Sequence, residues 1–297
     1  MCGIVGLFLK DEGLKPELGR LLGGMLEVMT DRGPDSAGFA VYGDPVADHV
    51  RFTLRAKPPA GFDGLVGQLE AALGPMQAEL RDTHLVLTAP EALLEPTRDW
   101  LAANRPEIDI VGAGRRIGLY KEVGLPAEVA ARFGMKGMAG SHGIGHTRMA
   151  TESAVTTEGA HPFSTGPDQC LVHNGSLSNH NSVRRTLRRE GIAFRTENDS
   201  EVAAGYLTWR MRQGASLKQA LEASLSDLDG FYTFVVGTET GFAVLRDPIS
   251  CKPAVMAETD QYVAFGSEYR ALVGLPGIEA AHVFEPEPAK VYAWERA

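Results

Sequence analysis

The chain has 297 residues, 44% hydrophobic and 23% charged, with a net charge of -9 and a pI of about 5.4. That composition suits a soluble globular protein with a sizeable core, and the acidic balance argues against a nucleic-acid binder, which needs a basic face. Three widely spaced cysteines, Cys2, Cys170 and Cys251, make neither a disulfide framework nor a zinc spacing, so a reducing cytoplasm is the expected setting.

In chain order, Ile4–Leu9 reads as a short buried strand, β-branched and aromatic. Its apolar run stops before Lys10, Asp11 and Glu12, so no export signal is expected and a lipid anchor on Cys2 loses its support. No stretch approaches the roughly 20 apolar residues of a membrane span. Pro16 followed by Leu18, Leu21, Leu22, Met25, Leu26 and Met29 has helical spacing. That helix should end near Thr30, before the turn Asp31-Arg32-Gly33-Pro34-Asp35. Ala37–Tyr42 reads as a strand.

Residues from about 61 to 113 alternate helix, strand, helix, strand: Leu65–Leu80, His84–Leu87, Ala92–Asn104 and Ile108–Val111. This predicts a small α/β lobe. Gly112-Ala113-Gly114 lacks the remaining glycine and the acidic residue of a dinucleotide fingerprint. The stretch Phe133–Gly145 lacks the Gly-Lys-Ser/Thr ending of a phosphate loop and reads as a loop leading into a strand. Cys170–Val172 reads as a buried strand. Ser182–Arg189 reads as a helix whose basic run, Arg184 to Arg189, forms a solvated or partner-facing side. Asp199–Arg212 is a helix with Asp199 or Ser200 as N-cap, and Ser216–Leu225 is another. Phe231–Gly237 and Gly241–Arg246 form a hairpin, and Tyr262–Gly266 and Ala289–Trp294 are late strands. The expected class is α+β, strands layered with helices outside.

Five polar clusters could carry chemistry: Cys2-Gly3, Asp31 to Asp35, Gly145-His146-Thr147-Arg148, His173-Asn174-Gly175 and Asn198-Asp199-Ser200-Glu201. Each alone is weak. An Asn-Gly pair is ordinarily a turn, and an acidic residue opening a helix is ordinarily a cap. His146, His161 and His173 sit in strand-like or proline-adjacent contexts, and no metal is expected.

Taken together and in order, the clusters resemble the glutaminase domain of class II glutamine amidotransferases, which are N-terminal nucleophile hydrolases. The matching text is MCGIVGLF, DRGPDSAG, GIGHTRMAT, HPF, LVHNGSLSNH, NDSEV, GFYTFVV and RDPISCKP. It covers both ends and most of the chain. The resemblance implies a four-layer αββα sandwich over residues 1–297, with the lobe inserted at about 45–135. The text after GHTR, Met149-Ala150-Thr151-Glu152, departs from the glucosamine-phosphate branch.

The chemistry of these residues suits that family. A thiol is nucleophilic as thiolate, with an unperturbed pKa of about 8.5. A free α-amine titrates near about 8. If Met1 is removed, the amine of Cys2 becomes a base on the same residue as its nucleophile. The resemblance implies that Asn174 and Gly175 donate to the oxyanion. It implies that Arg148 takes glutamine's α-carboxylate and Asp199 its α-ammonium. It places Thr151 and His173 on the substrate side as well.

The chain ends at Ala297, soon after the last expected strand, which points to a separate acceptor of ammonia. The resemblance is strongest to the separate glutaminase subunits of glutamate-synthase-like systems, N-methylglutamate synthase among them. It implies two partners, a flavin-containing synthase subunit and a glycine-repeat subunit. FMN and an iron–sulfur cluster would lie in those partners, with no cofactor in this chain. Two other readings stay open: a stand-alone amidohydrolase of the same fold, and a non-catalytic assembly or regulatory subunit.

Overall fold

A computed structural model describes residues 2–57, 60–150 and 154–296. The chain begins with β1 (Gly3–Leu9), α1 (Leu18–Val28) and β2 (Ser36–Tyr42). Then come β3 (His49–Ala56), α2 (Leu65–Leu73), β4 (Gln77–Arg81), β5 (His84–Pro90), α3 (Leu94–Asn104) and β6 (Ile108–Gly114). β7 (Ile117–Val123), α4 (Pro126–Arg132) and β8 (His142–Arg148) lead to β9 (Phe163–Gly166) and β10 (Gln169–Leu177). Three helices follow, α5 (His180–Arg189), α6 (Asp199–Arg212) and α7 (Leu217–Asp227). The last strands are β11 (Gly230–Gly237), β12 (Gly241–Arg246), β13 (Val255–Glu258), β14 (Tyr262–Gly266), β15 (His282–Phe284) and β16 (Tyr292–Glu295).

β1 shows how the layers are made. Its side chains alternate between faces, yet every residue is buried. Val5, Leu7 and Leu9 join a core with Leu18, Leu21, Leu22, Met25 and Leu26 of α1. Ile4 and Phe8 face the opposite way, into a core shared with Cys170, Val172, Val235 and Phe242. A strand covered on both sides therefore reads as a continuous apolar run. β1 is the middle of a seven-stranded sheet, β15-β13-β14-β1-β8-β2-β7, and the second sheet is β16-β12-β11-β10-β9. α1 and α4 cover the first sheet, while α6 and α7 cover the second. The result is the αββα sandwich. Each fully buried leucine contributes about 1.5–3 kcal/mol to holding these layers.

Residues 49–114 form a separate four-stranded sheet, β4-β5-β3-β6. All its neighbouring strands are antiparallel, so the α/β alternation expected from sequence is corrected to an antiparallel sheet. The expected helix Leu65–Leu80 stops at Leu73, because Gly74 and Pro75 break it, and Gln77–Arg81 pairs with β5 instead. β7 and α4 fall within the 45–135 stretch, but β7 pairs with β2 of the main body. The carboxylate of Asp168 fixes the return from the lobe. It accepts the backbone N–H groups of Arg115, Arg116 and Ile117 at 2.7, 2.8 and 2.9 Å.

Other expectations are refined. Asn198 caps α6, accepting Ser200 N–H at 2.8 Å, so neither Asp199 nor Ser200 is the cap. Arg184 is not a solvated residue. It is buried and pairs with Glu197 at 2.6 Å, tying α5 to the approach of α6. His142 to Gly145 already belong to β8, within the stretch expected as loop. No helix among the described residues is long and apolar enough to cross a membrane.

Candidate active site

Cys2 stands at the head of β1, at the mouth of an open cleft of about 880 Å³. The same cleft is lined by Arg148, His173, Asn174, Gly175 and Asp199. Cys2, Arg148, the run His173 to Gly175 and Asp199 come from four separate stretches of the chain. Register brings them together. Gly3 pairs with Thr147 across β1 and β8, which puts Arg148 beside Cys2. β10 lies in the facing sheet and carries His173, Asn174 and Gly175. Alone, the Asn-Gly pair suggests a turn. Here it lies inside a strand, opposite Thr233 and Tyr232 of β11.

Cys2 is held by its carbonyl. That oxygen accepts Asn174 Nδ2 at 3.0 Å and Arg32 Nε at 3.1 Å. Arg32 is itself fixed by an ion pair to Glu268 at 2.5 Å. Asn174 Nδ2 also reaches Ser267 Oγ at 3.4 Å, and Ser267 Oγ accepts Ile4 N–H at 2.9 Å. The thiol itself is lightly held, 3.9 Å from the carbonyl of Met149. Among the described residues, no histidine hydrogen-bonds Cys2 Sγ.

Gly175 has φ of +144°, and a Cβ there would lie 1.9 Å from the carbonyl oxygen of Phe231. Only glycine suits that position. Asp199 sits in the first turn of α6. One carboxylate oxygen accepts Leu177 N–H at 2.9 Å, while the other is 3.3 Å from Ser200 Oγ. The carboxylate is therefore oriented by the protein and partly open to the cleft. Arg148 is buried and reaches the carbonyl of Ala154 at 3.3 Å. Thr151 and Met1 lie outside the described residues.

Three histidines underlie the cleft. His173 Nδ1 is 2.8 Å from Ser200 Oγ. His146 Nε2 is 3.3 Å from the His173 carbonyl, and the His146 and His161 rings are 4.0 Å apart. Burial lowers all three pKa values, His146 to about 3 and His161 well below the usual range. They are neutral at pH 7. Among the described residues, no group of three or more His, Cys, Asp or Glu side chains could hold a metal.

Sequence reasoning noted the cluster Asp31 to Asp35 without assigning its work. Besides Arg32, Asp35 accepts Ala150 N–H at 2.8 Å and donates its own N–H to the Arg148 carbonyl at 3.1 Å. It braces the loop that leaves Arg148. Gly33 permits the approach, since a Cβ there would lie 2.4 Å from the Thr147 carbonyl carbon and 2.5 Å from Arg148 N. Gly33→Ala should therefore destabilise the protein by about 1–3 kcal/mol, read as a lower urea midpoint. An unchanged midpoint would show that the turn can move at no cost. Ser267 and Glu268 carried no signal in the sequence, because Ile4 and Arg32, which they hold, lie more than 200 residues away.

Comparison with known proteins places the chain in a family. The chain is 63% identical over 296 residues to the "Glutamine amidotransferase-like protein GlxB" of Rhizobium meliloti (strain 1021), covering 99% of this chain and 98% of that one. It is 32% identical to a "Putative glutamine amidotransferase" of Methanothermobacter thermautotrophicus, covering 98% of this chain and 99% of that one. The chain belongs to the class II glutamine amidotransferase family. A glutamine amidotransferase domain model matches residues 146–274 of this chain, a span that includes His146 through Asp199. Among solved structures, "Structure of the allosteric regulatory enzyme of purine biosynthesis" matches with a TM-score of 0.65 and 22% identity. The glutamine PRPP amidotransferase from B. subtilis matches with a TM-score of 0.62 and 21% identity. Both cover 99% of this chain, which spans 47% of each of them. They show the N-terminal nucleophile hydrolase fold.

Proposed function

We propose that this chain hydrolyses glutamine to glutamate and ammonia, with Cys2 as nucleophile. One observation carries the reading: the thiol of Cys2 opens into the same cleft as Arg148 and Asp199. A buried guanidinium and an oriented carboxylate are the groups a free α-amino acid needs at its two charged ends. Thr151 and His173 are further candidates for contact with substrate.

In the proposed mechanism Met1 is absent and the Cys2 α-amine acts as base. That amine takes the thiol proton, and the thiolate sulfur bonds to the side-chain carbonyl carbon of glutamine. Asn174 and Gly175 N–H are the proposed donors to the oxyanion. For that, Asn174 must turn one N–H away from Ser267, the longer of its two contacts. The C–N bond then breaks, the amine returns the proton, and ammonia leaves. Water adds to the thioester, its proton passes through the same amine, and glutamate departs with the thiol restored.

The proposed recipient of nitrogen is a separate flavin-containing synthase subunit, with a glycine-repeat subunit beside it. FMN and an iron–sulfur cluster belong to those partners on this reading. Sequence resemblance alone supports this part, and no residue here specifies the acceptor.

The test uses chain shown by intact mass to lack Met1. It should release ammonia from glutamine. Analogues lacking the α-amine or the α-carboxylate should fall by about 100-fold in kcat/KM, the effect of one lost charge-assisted contact. Equal turnover of the analogues would favour an amidohydrolase with another substrate. No turnover, with or without candidate synthase subunits, would favour an assembly role.

A further inference from the structure

Lys121 lies on β7 with its ammonium buried among main-chain carbonyls. Nζ donates to Ala160 O at 2.8 Å, Glu158 O at 3.3 Å and Pro162 O at 3.4 Å. It also sits 4.5 Å above the Phe163 ring. Among the described residues, no carboxylate lies within ion-pair distance of it. All its hydrogen bonds therefore go to one segment, 158–162. Glu158, Gly159 and His161 of that segment line the cleft that contains Cys2 and Asp199.

Burying an ammonium without a paired carboxylate is costly, and a methionine or leucine would fill a strand position more cheaply. The neighbouring structure nevertheless accommodates it. Gly38 stands opposite Lys121 in β2. A Cβ on Gly38 would lie 2.2 Å from the His161 carbonyl oxygen and 2.5 Å from Lys121 Cβ. Removing that one carbon lets the cleft segment and the lysine stem meet. Glu122, next on the strand, accepts Thr157 Oγ1, and Arg55 of the lobe pairs with Glu158 at 2.6 Å. Three charged side chains thus hold consecutive parts of one wall.

We propose that Lys121 is a positioning residue that holds the 158–162 wall in the shape that receives glutamine. The proposal rests on the glutamine reading of the cleft. Lys121 touches no reacting atom. Its ammonium orients the carbonyls at 158, 160 and 162, and so aims Gly159 and His161 into the cleft. Burial pulls its pKa down to about 8, opposed by Glu201 of α6, Asp109 of β6 and Glu158, and aided by Arg195. His161 faces it as a neutral ring, and Arg55 adds a positive charge held by Glu158. Below pH 8 the clamp is charged and closed; above it the wall loses its anchor.

Two measurements test this on the full chain lacking Met1. In steady-state assays, Lys121→Met should raise KM for glutamine by about 10-fold or more while kcat stays within about threefold. Wild-type KM should rise above pH 8, and that rise should be deferred in Lys121→Arg, which stays charged. In hydrogen exchange, amides 158–162 should lose protection in Lys121→Met while the core strands keep theirs. Unchanged KM, or superimposable pH profiles for wild type and Lys121→Arg, would overturn the proposal. If Lys121→Met does not fold, the Lys121→Arg pH profile decides. If the wild type never hydrolyses glutamine, the functional reading falls separately, and unaltered exchange at 158–162 still refutes the clamp.

Discussion

Cys2→Ala in the chain lacking Met1 should abolish glutamine hydrolysis, with a loss of about 10⁴-fold or more, as expected when a covalent nucleophile is removed. The size of the effect follows from the lack of a substitute. Cys170 is wholly buried, hydrogen-bonded to Tyr42, and pushed up to about 12 by burial, so it supplies no thiolate. Cys251 is exposed and does not line the cleft. The fold should survive the change, because Cys2 is held by its carbonyl rather than its side chain. Ammonia release and circular dichroism together check this. A variant that keeps a tenth of the activity would remove Cys2 from the mechanism. Ammonia-dependent synthesis by the proposed synthase partner should persist, since only the supply of nitrogen is lost.

The second large effect is on stability. Between pH 7 and pH 5 the protein should lose much of its resistance to urea. His84, His142, His146 and His161 are buried, and burial lowers their pKa values, to about 4 for His84 and about 3 for His142 and His146. In the unfolded chain each titrates near 6.5. Below that pH the unfolded state binds protons that the folded state refuses, so stability falls as pH falls. At pH 5 each such histidine contributes a loss of about 2 kcal/mol. Four of them approach the whole stability of an ordinary domain, about 5–15 kcal/mol. Salt-bridged carboxylates such as Glu268 act in the same direction only further down, as pH falls through their lowered pKa values. Equal urea midpoints at pH 7 and pH 5 would show that these imidazoles are protonated in the folded protein.

Local elements were the readable part. Leu18 to Met25 announces α1 through its spacing, and Phe231 to Arg246 announces the β11–β12 hairpin through its turn. Leu65–Leu80 misled because its apolar spacing continues past Gly74-Pro75, where propensity should have outranked periodicity. β3 and β7 went unread, since charged residues interrupt them: Arg51 and Arg55 in one, Lys121 and Glu122 in the other. Arg55, Lys121 and Glu122 are paired or clamped at the junction of lobe and body, and Arg51 donates to the Asp44 carbonyl at 3.2 Å, so in space they break no rule.

The same division holds at the cleft. Taken alone, the sequence determined which residue types are present in family order: Cys2, Arg148, Asn174-Gly175 and Asp199. Their chemistry depends on side-chain type and near neighbours, which a chain records locally. Only the tertiary structure decided that Arg32, Asp35, Ser267 and Glu268 hold those residues in place and that Lys121 binds the neighbouring 158–162 wall. These contacts join residues separated by 30 to 263 positions. Strand register and the packing of two sheets create them, and neither is written in any short stretch of sequence.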